Sequence, residues 1–264
     1  LLERMTQNTE LSTEQRLEQE CIAYNATQGN LEGYDCEDCM NRGGYYVIQD
    51  EAVVFRQCHC HDIRASLRRI QSSGLEDMLD TCTLDNYNAS EDWQERIKKS
   101  AADYIRESKG KWFYIGGQVG SGKTMICTAI VGELLKAGKS ARYMLWRDEI
   151  VQIKACVTDD VQYSKLINPL KSVDVLYIDD FFKTALDEYG KRKPPTQGDL
   201  NVAFELLNSR YCSKDKITII SCEHFIDELL SFDEAVGSRI YERSKGFRNH
   251  VKRESGRNYR MKSG

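Results

Sequence analysis

Gly117-Gln118-Val119-Gly120-Ser121-Gly122-Lys123-Thr124 is the stretch from which the rest of the chain is read. It matches the pattern G-x-x-x-x-G-K-[ST] at every fixed position. Each residue type has a chemical reason to be there. Glycines allow backbone N–H groups to turn inward and approach phosphate oxygens with no Cβ in the way. The helix that follows adds its positive N-terminal end. Lys123 is placed to reach the β- and γ-phosphates of a nucleoside triphosphate, and the Thr124 hydroxyl to ligate Mg²⁺. Such a loop works only between a strand and a helix. Trp112-Phe113-Tyr114-Ile115 reads as a buried strand and Met125 to Lys136 as a helix, so the context is met. Met125 closes the candidate nucleotide-binding segment.

A phosphate loop needs a carboxylate at the end of another strand. Val175-Leu176-Tyr177-Ile178-Asp179-Asp180 supplies two. Asp179 is expected to hold Mg²⁺, directly or through water, and Asp180 to polarise the attacking water. The interval between loop and acids has room for one strand and two helices. It predicts an acid strand far from the loop strand in sequence and next to it in the sheet. Further elements alternate in the same way: helix Trp93–Glu107, with Ile97, Ala101, Tyr104 and Ile105 on one face, strand Ser140–Leu145 and helix Asp148–Val157. Strand Val173–Ile178, helix Leu200–Tyr211 and strand Ile217–Ser221 complete an α/β pattern with a mainly parallel sheet. Lys191-Arg192-Lys193-Pro194-Pro195 reads as an exposed, mobile loop.

The chain of 264 residues is 41% hydrophobic and 30% charged, enough for a real core and against global disorder. Its net charge of −4 excludes a whole-chain basic footprint for duplex DNA. No apolar run approaches the roughly 18 residues of a membrane-spanning helix. Leu1 in place of Met implies that the true N-terminus lies upstream. Residues 1–30 are polar, with Leu11, Leu17, Cys21 and Ile22 as a weak helical stripe opening near Thr13.

Ten cysteines in a chain with an adequate core point to a reducing, cytoplasmic setting and not to a secreted disulfide framework. Cys36, Cys39, Cys58 and Cys60 lie on either side of Tyr45–Ile48 and Val53–Phe55, two β-like runs that read as a hairpin. Two turns carrying four thiolates suit tetrahedral Zn²⁺ with no open position, hence a structural site. His61 competes with Cys60 as the fourth ligand, and an iron–sulfur cluster fits the same four thiols. The remaining cysteines, at 21, 82, 127, 156, 212 and 222, lie mostly in apolar patterns and read as core filling. Ile63–Ser73 reads as a basic helix that Gly74 stops, and its Arg64, Arg68 and Arg69 are candidate contacts for DNA or a protein partner.

With these residues in view, the sequence resembles AAA+ ATPases, and among them the bacterial helicase loaders of the DnaC/DnaI type, over roughly residues 34–262. The resemblance rests on the cysteine cluster, on Gly74-Leu75 leading to Leu84-Asp85-Asn86-Tyr87, and on the two nucleotide motifs. It also rests on Ser221 at the next strand end and on Gly237-Ser238-Arg239-Ile240-Tyr241-Glu242-Arg243. It implies a slow ATPase stimulated by assembly, with ATP at a site shared between copies. It further implies contact with single-stranded DNA and delivery of the hexameric replicative helicase through the N-terminal region. Carried over by residue, Ser221 contacts the nucleotide, and Arg243, with Arg239 as rival, is the finger that reaches a neighbour's γ-phosphate. Arg260 senses nucleotide in cis, and the C-x-C pair favours Cys60 over His61. Cys222 stands where the family often has Asn, which puts polar sensing of the γ-phosphate in question.

The implied organisation is an N-terminal helical, partner-binding segment over 1–33, a zinc-binding module over 34–75 and a AAA+ domain over 76–264. Residues 239–262 hold nine Lys and Arg against two Glu, a local phosphate-facing surface or a solvated tail. Tyr143, Trp146 and Arg147 are candidates for stacking on unpaired bases, with core packing the commoner use of Tyr143. Rival readings are an IstB-like transposition helper, which usually lacks the cysteine module, a small-molecule kinase, in which the late arginines would be idle, and a non-hydrolysing ATP-binding adapter.

Overall fold

The computed structural model of the protein describes residues 12–50, 52–71, 76–185, 188–189, 192–254 and 256–259. The chain divides into two units, Leu1–Leu67 and Arg68–Gly264. Among the described residues no helix is long and apolar enough to cross a membrane.

In the first unit, α1 (Thr13–Asn25) starts at a capping box: Gln15 N–H donates to the Ser12 hydroxyl at 3.2 Å, and Ser12 N–H to Gln15 Oε1 at 3.0 Å. Leu11 lies outside the described residues. The predicted hairpin is present as antiparallel β1 (Gly44–Gln49) and β2 (Ala52–Gln57), paired from Gly44↔Gln57 to Gln49↔Ala52. Asn25 anchors α1 to this ribbon by exchanging hydrogen bonds of 2.8 and 3.0 Å with the backbone of Tyr46. The following helix, α2 (Cys60–Ile70), starts at the second cysteine pair. Gly74, the expected stop, is outside the described residues.

The second unit is built on a five-stranded, all-parallel sheet of order β4-β5-β6-β3-β7. Its strands are β3 (Trp112–Gly117), β4 (Ala141–Leu145), β5 (Val175–Phe181), β6 (Ile217–Cys222) and β7 (Arg248–Val251). β3 is buried along its whole length, which explains its continuous apolar run. Trp112 and Tyr114 join a core with residues of α6 (Trp146–Ala155), α7 (Asp160–Ser172), α8 (Gln197–Cys212), α9 (Ile226–Phe232) and α10 (Glu234–Arg243). Between them, Phe113 packs 5.3 Å from Tyr104 of α4 (Asp92–Glu107). α3 (Glu76–Thr81) and α5 (Lys123–Lys136) complete the unit.

Three expectations need correction. The acid strand β5 is not next to the loop strand β3, because β6 lies between them and hydrogen-bonds to both. Sequence distance says nothing of this, since any later strand can enter between two earlier ones. The sequence pattern also misses the short helices α3 and α9, the helix α7 and the strand β7. α7 contains Pro169 but has a sound start, with the Asp159 carboxylate accepting from Val161 and Gln162 N–H at 3.1 and 3.0 Å. β7 is a four-residue strand of polar composition that reads as tail until its pairing with β3 is seen. Third, Arg192 is no free loop residue, because it ion-pairs with Glu223 at 2.6 Å.

Arg210 of α8 is fully buried and makes six hydrogen bonds, to Leu170, Lys171, Val173, Asp174 and Ile217 carbonyls and to the Thr218 hydroxyl. Burial lowers its pKa to about 10, and it ties the end of α7 to the starts of β5 and β6.

Candidate functional site

The phosphate loop runs from the end of β3 into α5, at the C-terminal edge of the sheet. Gly117 has φ 113°, and a Cβ there would lie 2.0 Å from the Val251 carbonyl oxygen, so no other residue fits. That same carbonyl accepts from Gln118 N–H at 3.0 Å, which buttresses the loop against β7. On the other side Gly120, at φ 69°, accepts from Tyr259 N–H at 2.9 Å. Lys123 is buried and donates to the Gly117 and Gln118 carbonyls at 3.0 and 2.6 Å. Burial lowers its pKa, against the pull of Glu223, Cys222, Asp180 and Asp179.

A cavity of 440 Å³ opens beside the loop. Residues 119–125 form one wall, which places Val119, Gly120, Ser121, Gly122, Lys123, Thr124 and Met125 together as the motif predicts. Asp180, Lys183 and Glu223 form another. Met78, Asn86, Tyr87, Asn88, Gln94 and Tyr259 line the remainder, and no motif of the sequence assigns them a role.

Asp179 is 4% exposed and lies at the centre of a ring of donors. The Thr124 hydroxyl stands 3.4 and 3.3 Å from its two oxygens, the Tyr143 hydroxyl donates to Oδ2 at 3.2 Å, and Asp180 N–H to Oδ1 at 3.1 Å. The Ser221 hydroxyl also donates to Oδ1, and it sits there because β6 separates β5 from β3. The Tyr143 hydroxyl is therefore a member of this cluster. Trp146 is buried against Phe181 and Phe182 at 4.8 and 5.4 Å, which rules out the stacking role considered for it. The Cys222 thiol turns away to donate to the Phe181 carbonyl at 3.1 Å, and burial pushes it up to about 12.

At Asp180 the strand breaks register, with Asp180 and Phe182 at φ 53° and 57°. The resulting turn brings Lys183 Nζ to 2.7 Å from the Asp180 carboxylate and 3.1 Å from Glu223. In the sequence Lys183 carries a single signal, its spacing of three from an acid in a strand-end turn.

The late arginines lie elsewhere. Arg243 donates to the Gly110 carbonyl at 2.9 Å and to the Tyr211 carbonyl, with its guanidinium over the Tyr211 ring. Arg239 donates to Asn208 Oδ1 at 3.0 Å and to the Ala235 carbonyl at 2.7 Å, over Phe204 and Tyr211. Both are on α10, as the four-residue spacing predicts. Arg260 lies outside the described residues.

In the first unit, Cys36, Cys39, Cys58 and Cys60 are all buried, with their sulfurs within 4.8 Å of one another. Cys60, not His61, stands with the other three; His61 is exposed, 3.4 Å from Asp62. Burial pushes the Cys58 thiol up to about 12 and raises Cys60, while Cys39, buried too, is drawn down to about 7 by the Gly43 N–H and neighbouring thiols. Thiols this close cannot all ionise unless a cation stands among them. Arg64 is buried against the Glu32 carbonyl and Asn41 Oδ1, the latter at 2.8 Å, so its role is to brace this cluster and not to meet a partner.

No family model matches the chain. It is 30% identical over 230 residues to phage-like element PBSX protein XkdC of Bacillus subtilis (strain 168), covering 84% of each chain. It is 28% identical over 127 residues to the replicative helicase loader DnaC of Escherichia coli (strain K12), which takes in 47% of this chain and 52% of that protein. The chain therefore spans about half the length of that loader. Its fold is similar to that of the DnaI crystal structure, with TM-score 0.50, 19% identity and coverage of 69% of this chain and 92% of that one.

Proposed function

We propose that the chain, which belongs to one family with phage-like element PBSX protein XkdC, is an AAA+ ATPase of the DnaC and DnaI type that loads a replicative DNA helicase. The observation that supports the nucleotide half of this reading is the approach of Thr124 to Asp179, 55 residues apart in sequence and 3.3 Å apart in space, beside a glycine cradle that a Cβ would fill. The loader half rests on kinship with DnaC.

In this reading the backbone of Gly117–Thr124 and the Lys123 ammonium bind the phosphates of ATP, with Met125 behind them. Thr124 and Asp179 hold Mg²⁺. Bound there, the ion neutralises charge on the phosphate oxygens. Ser221 fixes the Asp179 carboxylate, Asp180 orients the attacking water, and Arg260 senses the nucleotide in cis. Arg243, or Arg239 from the same helix, is presented by a second copy to complete the site, which makes self-assembly a condition of turnover. Cys36, Cys39, Cys58 and Cys60 fit Zn²⁺ by donor chemistry and spacing, in a structural role. Residues 1–33 and the metal module over 34–75 meet the helicase, and 76–264 form the ATPase. The basic residues of 239–262 contact single-stranded DNA. The setting is the cytoplasm.

Co-purification of the full chain with a replicative helicase, in ATP, in ADP and with a chelator, tests the proposal. A complex is expected in ATP and lost when residues 1–62 are removed; its absence in every condition refutes the loader role. Lys123→Ala is expected to abolish nucleotide binding. Arg243→Ala is expected to bind ATP and fail to turn it over. Normal hydrolysis by both Arg243→Ala and Arg239→Ala refutes the shared site.

A further inference from the structure

We infer that Lys183 is the residue by which this site tells a triphosphate from a diphosphate: a cation kept on Asp180 and Glu223 that moves to the terminal phosphate. The inference rests on the nucleotide reading of the cavity and adds a specificity residue to it.

The chain builds Lys183 into place. Two non-glycine residues, Asp180 and Phe182, take left-handed backbone angles, which ordinary residues rarely adopt. Lys183 N–H closes the turn on the Asp180 carbonyl at 2.9 Å. Phe181 and Phe182 are fully buried and stacked with ring centres 4.0 Å apart, so the turn is pinned from below by two aromatic side chains. Strained turns of this kind persist where surrounding packing determines them, and they concentrate at functional sites. The result is an ammonium group on the wall of the cavity that also holds Lys123 and Thr124.

The charges around Lys183 make its release cheap. Glu223 has a second cation, Arg192 at 2.6 Å, and stays neutralised when Lys183 leaves. Asp180 is half-buried and faces the cavity, so it can meet water once uncovered. A terminal phosphate beside Asp180 brings more negative charge than either carboxylate and offers several acceptor oxygens to one ammonium. ADP offers none at that place. A ligand shifts an equilibrium only by its differential affinity for the two states, and the terminal phosphate is that difference. Cys222 at the end of β6 commits its sulfur to the Phe181 carbonyl, so the cation at this place comes from the turn after β5.

The test is the binding of ADP and of a non-hydrolysable ATP analogue to the full chain by calorimetry. The variants are Lys183→Met, Lys183→Arg and Glu223→Gln. Lys183→Met is expected to lose about tenfold in affinity for the triphosphate, the order of one charge-assisted hydrogen bond, with ADP affinity unchanged. Lys183→Arg should restore most of the loss. Glu223→Gln, which weakens the hold on Lys183, should raise the triphosphate preference. ADP binding reports that each variant is folded. Equal weakening of both nucleotides in Lys183→Met, or no change in their ratio, overturns the inference while leaving the nucleotide site standing. Wild-type protein that binds neither nucleotide removes the site and the inference together.

Discussion

Replacing Tyr143 by Phe should raise the Mg²⁺ concentration that nucleotide binding requires. The Tyr143 hydroxyl donates to Asp179 Oδ2 at 3.2 Å, and the other hydroxyl near that oxygen is Thr124 at 3.3 Å. If Thr124 holds Mg²⁺ as proposed, Tyr143 would be the hydroxyl that orients Oδ2. Burial and the neighbouring Asp179 push the phenol far above its ordinary pKa, so it remains a donor across the working range. A hydrogen bond to a charged group is worth about 1.5–3 kcal/mol. At about 1.4 kcal/mol per decade this corresponds to roughly ten- to hundredfold, the range seen when groups that orient metal ligands are removed. The ring itself stays, packed 5.3 Å from Tyr177, so Phe keeps the fold and isolates the hydroxyl. The assay is nucleotide affinity titrated against Mg²⁺, with thermal unfolding as control. A Phe variant with normal unfolding and a Mg²⁺ requirement within about twofold of wild type refutes the orienting role.

Arg210→Met should destabilise the ATPase unit by about 3–5 kcal/mol, since it strips six acceptors of their shared donor in a dry site; urea unfolding checks it, and a loss below about 1 kcal/mol counts against the account. Cys60→Ser should abolish retention of Zn²⁺ on gel filtration and His61→Ala should leave it intact, because only Cys60 stands among the other three sulfurs. Asp199 is buried, which raises its carboxyl, but Lys154 at 2.6 Å and Thr196 outweigh this and hold it below its ordinary 3.8. Its contribution is therefore present above that pH and lost as pH falls through the lowered value. The stability gap between wild type and Asp199→Asn should narrow from pH 7 toward about pH 3; a gap independent of pH refutes the pairing.

The phosphate loop and its flanking strand and helix were legible because every feature is local: glycines for close approach, a lysine at fixed spacing, an apolar run that is buried on both faces. Cys36, Cys39, Cys58 and Cys60 were legible for the same reason. What the sequence hid was lateral. No spacing in the sequence records the place of β6 between β5 and β3. Tyr143 and Ser221 reach Asp179 from strands on either side of β5, so their shared role appears only once strand order is known. β7 escaped because four residues carry too little pattern, and Lys183 because its position depends on two left-handed residues that no composition rule selects.

The support that Val251 gives to Gln118 joins residues 133 positions apart. On a ribosome, the glycine-rich turn emerges long before the strand that braces it. A nascent chain halted after β6 has its lysine and its acids but nothing behind Gly117. The brace behind the glycine turn is thereby deferred until β7 has been made, and a product terminated before β7 lacks it.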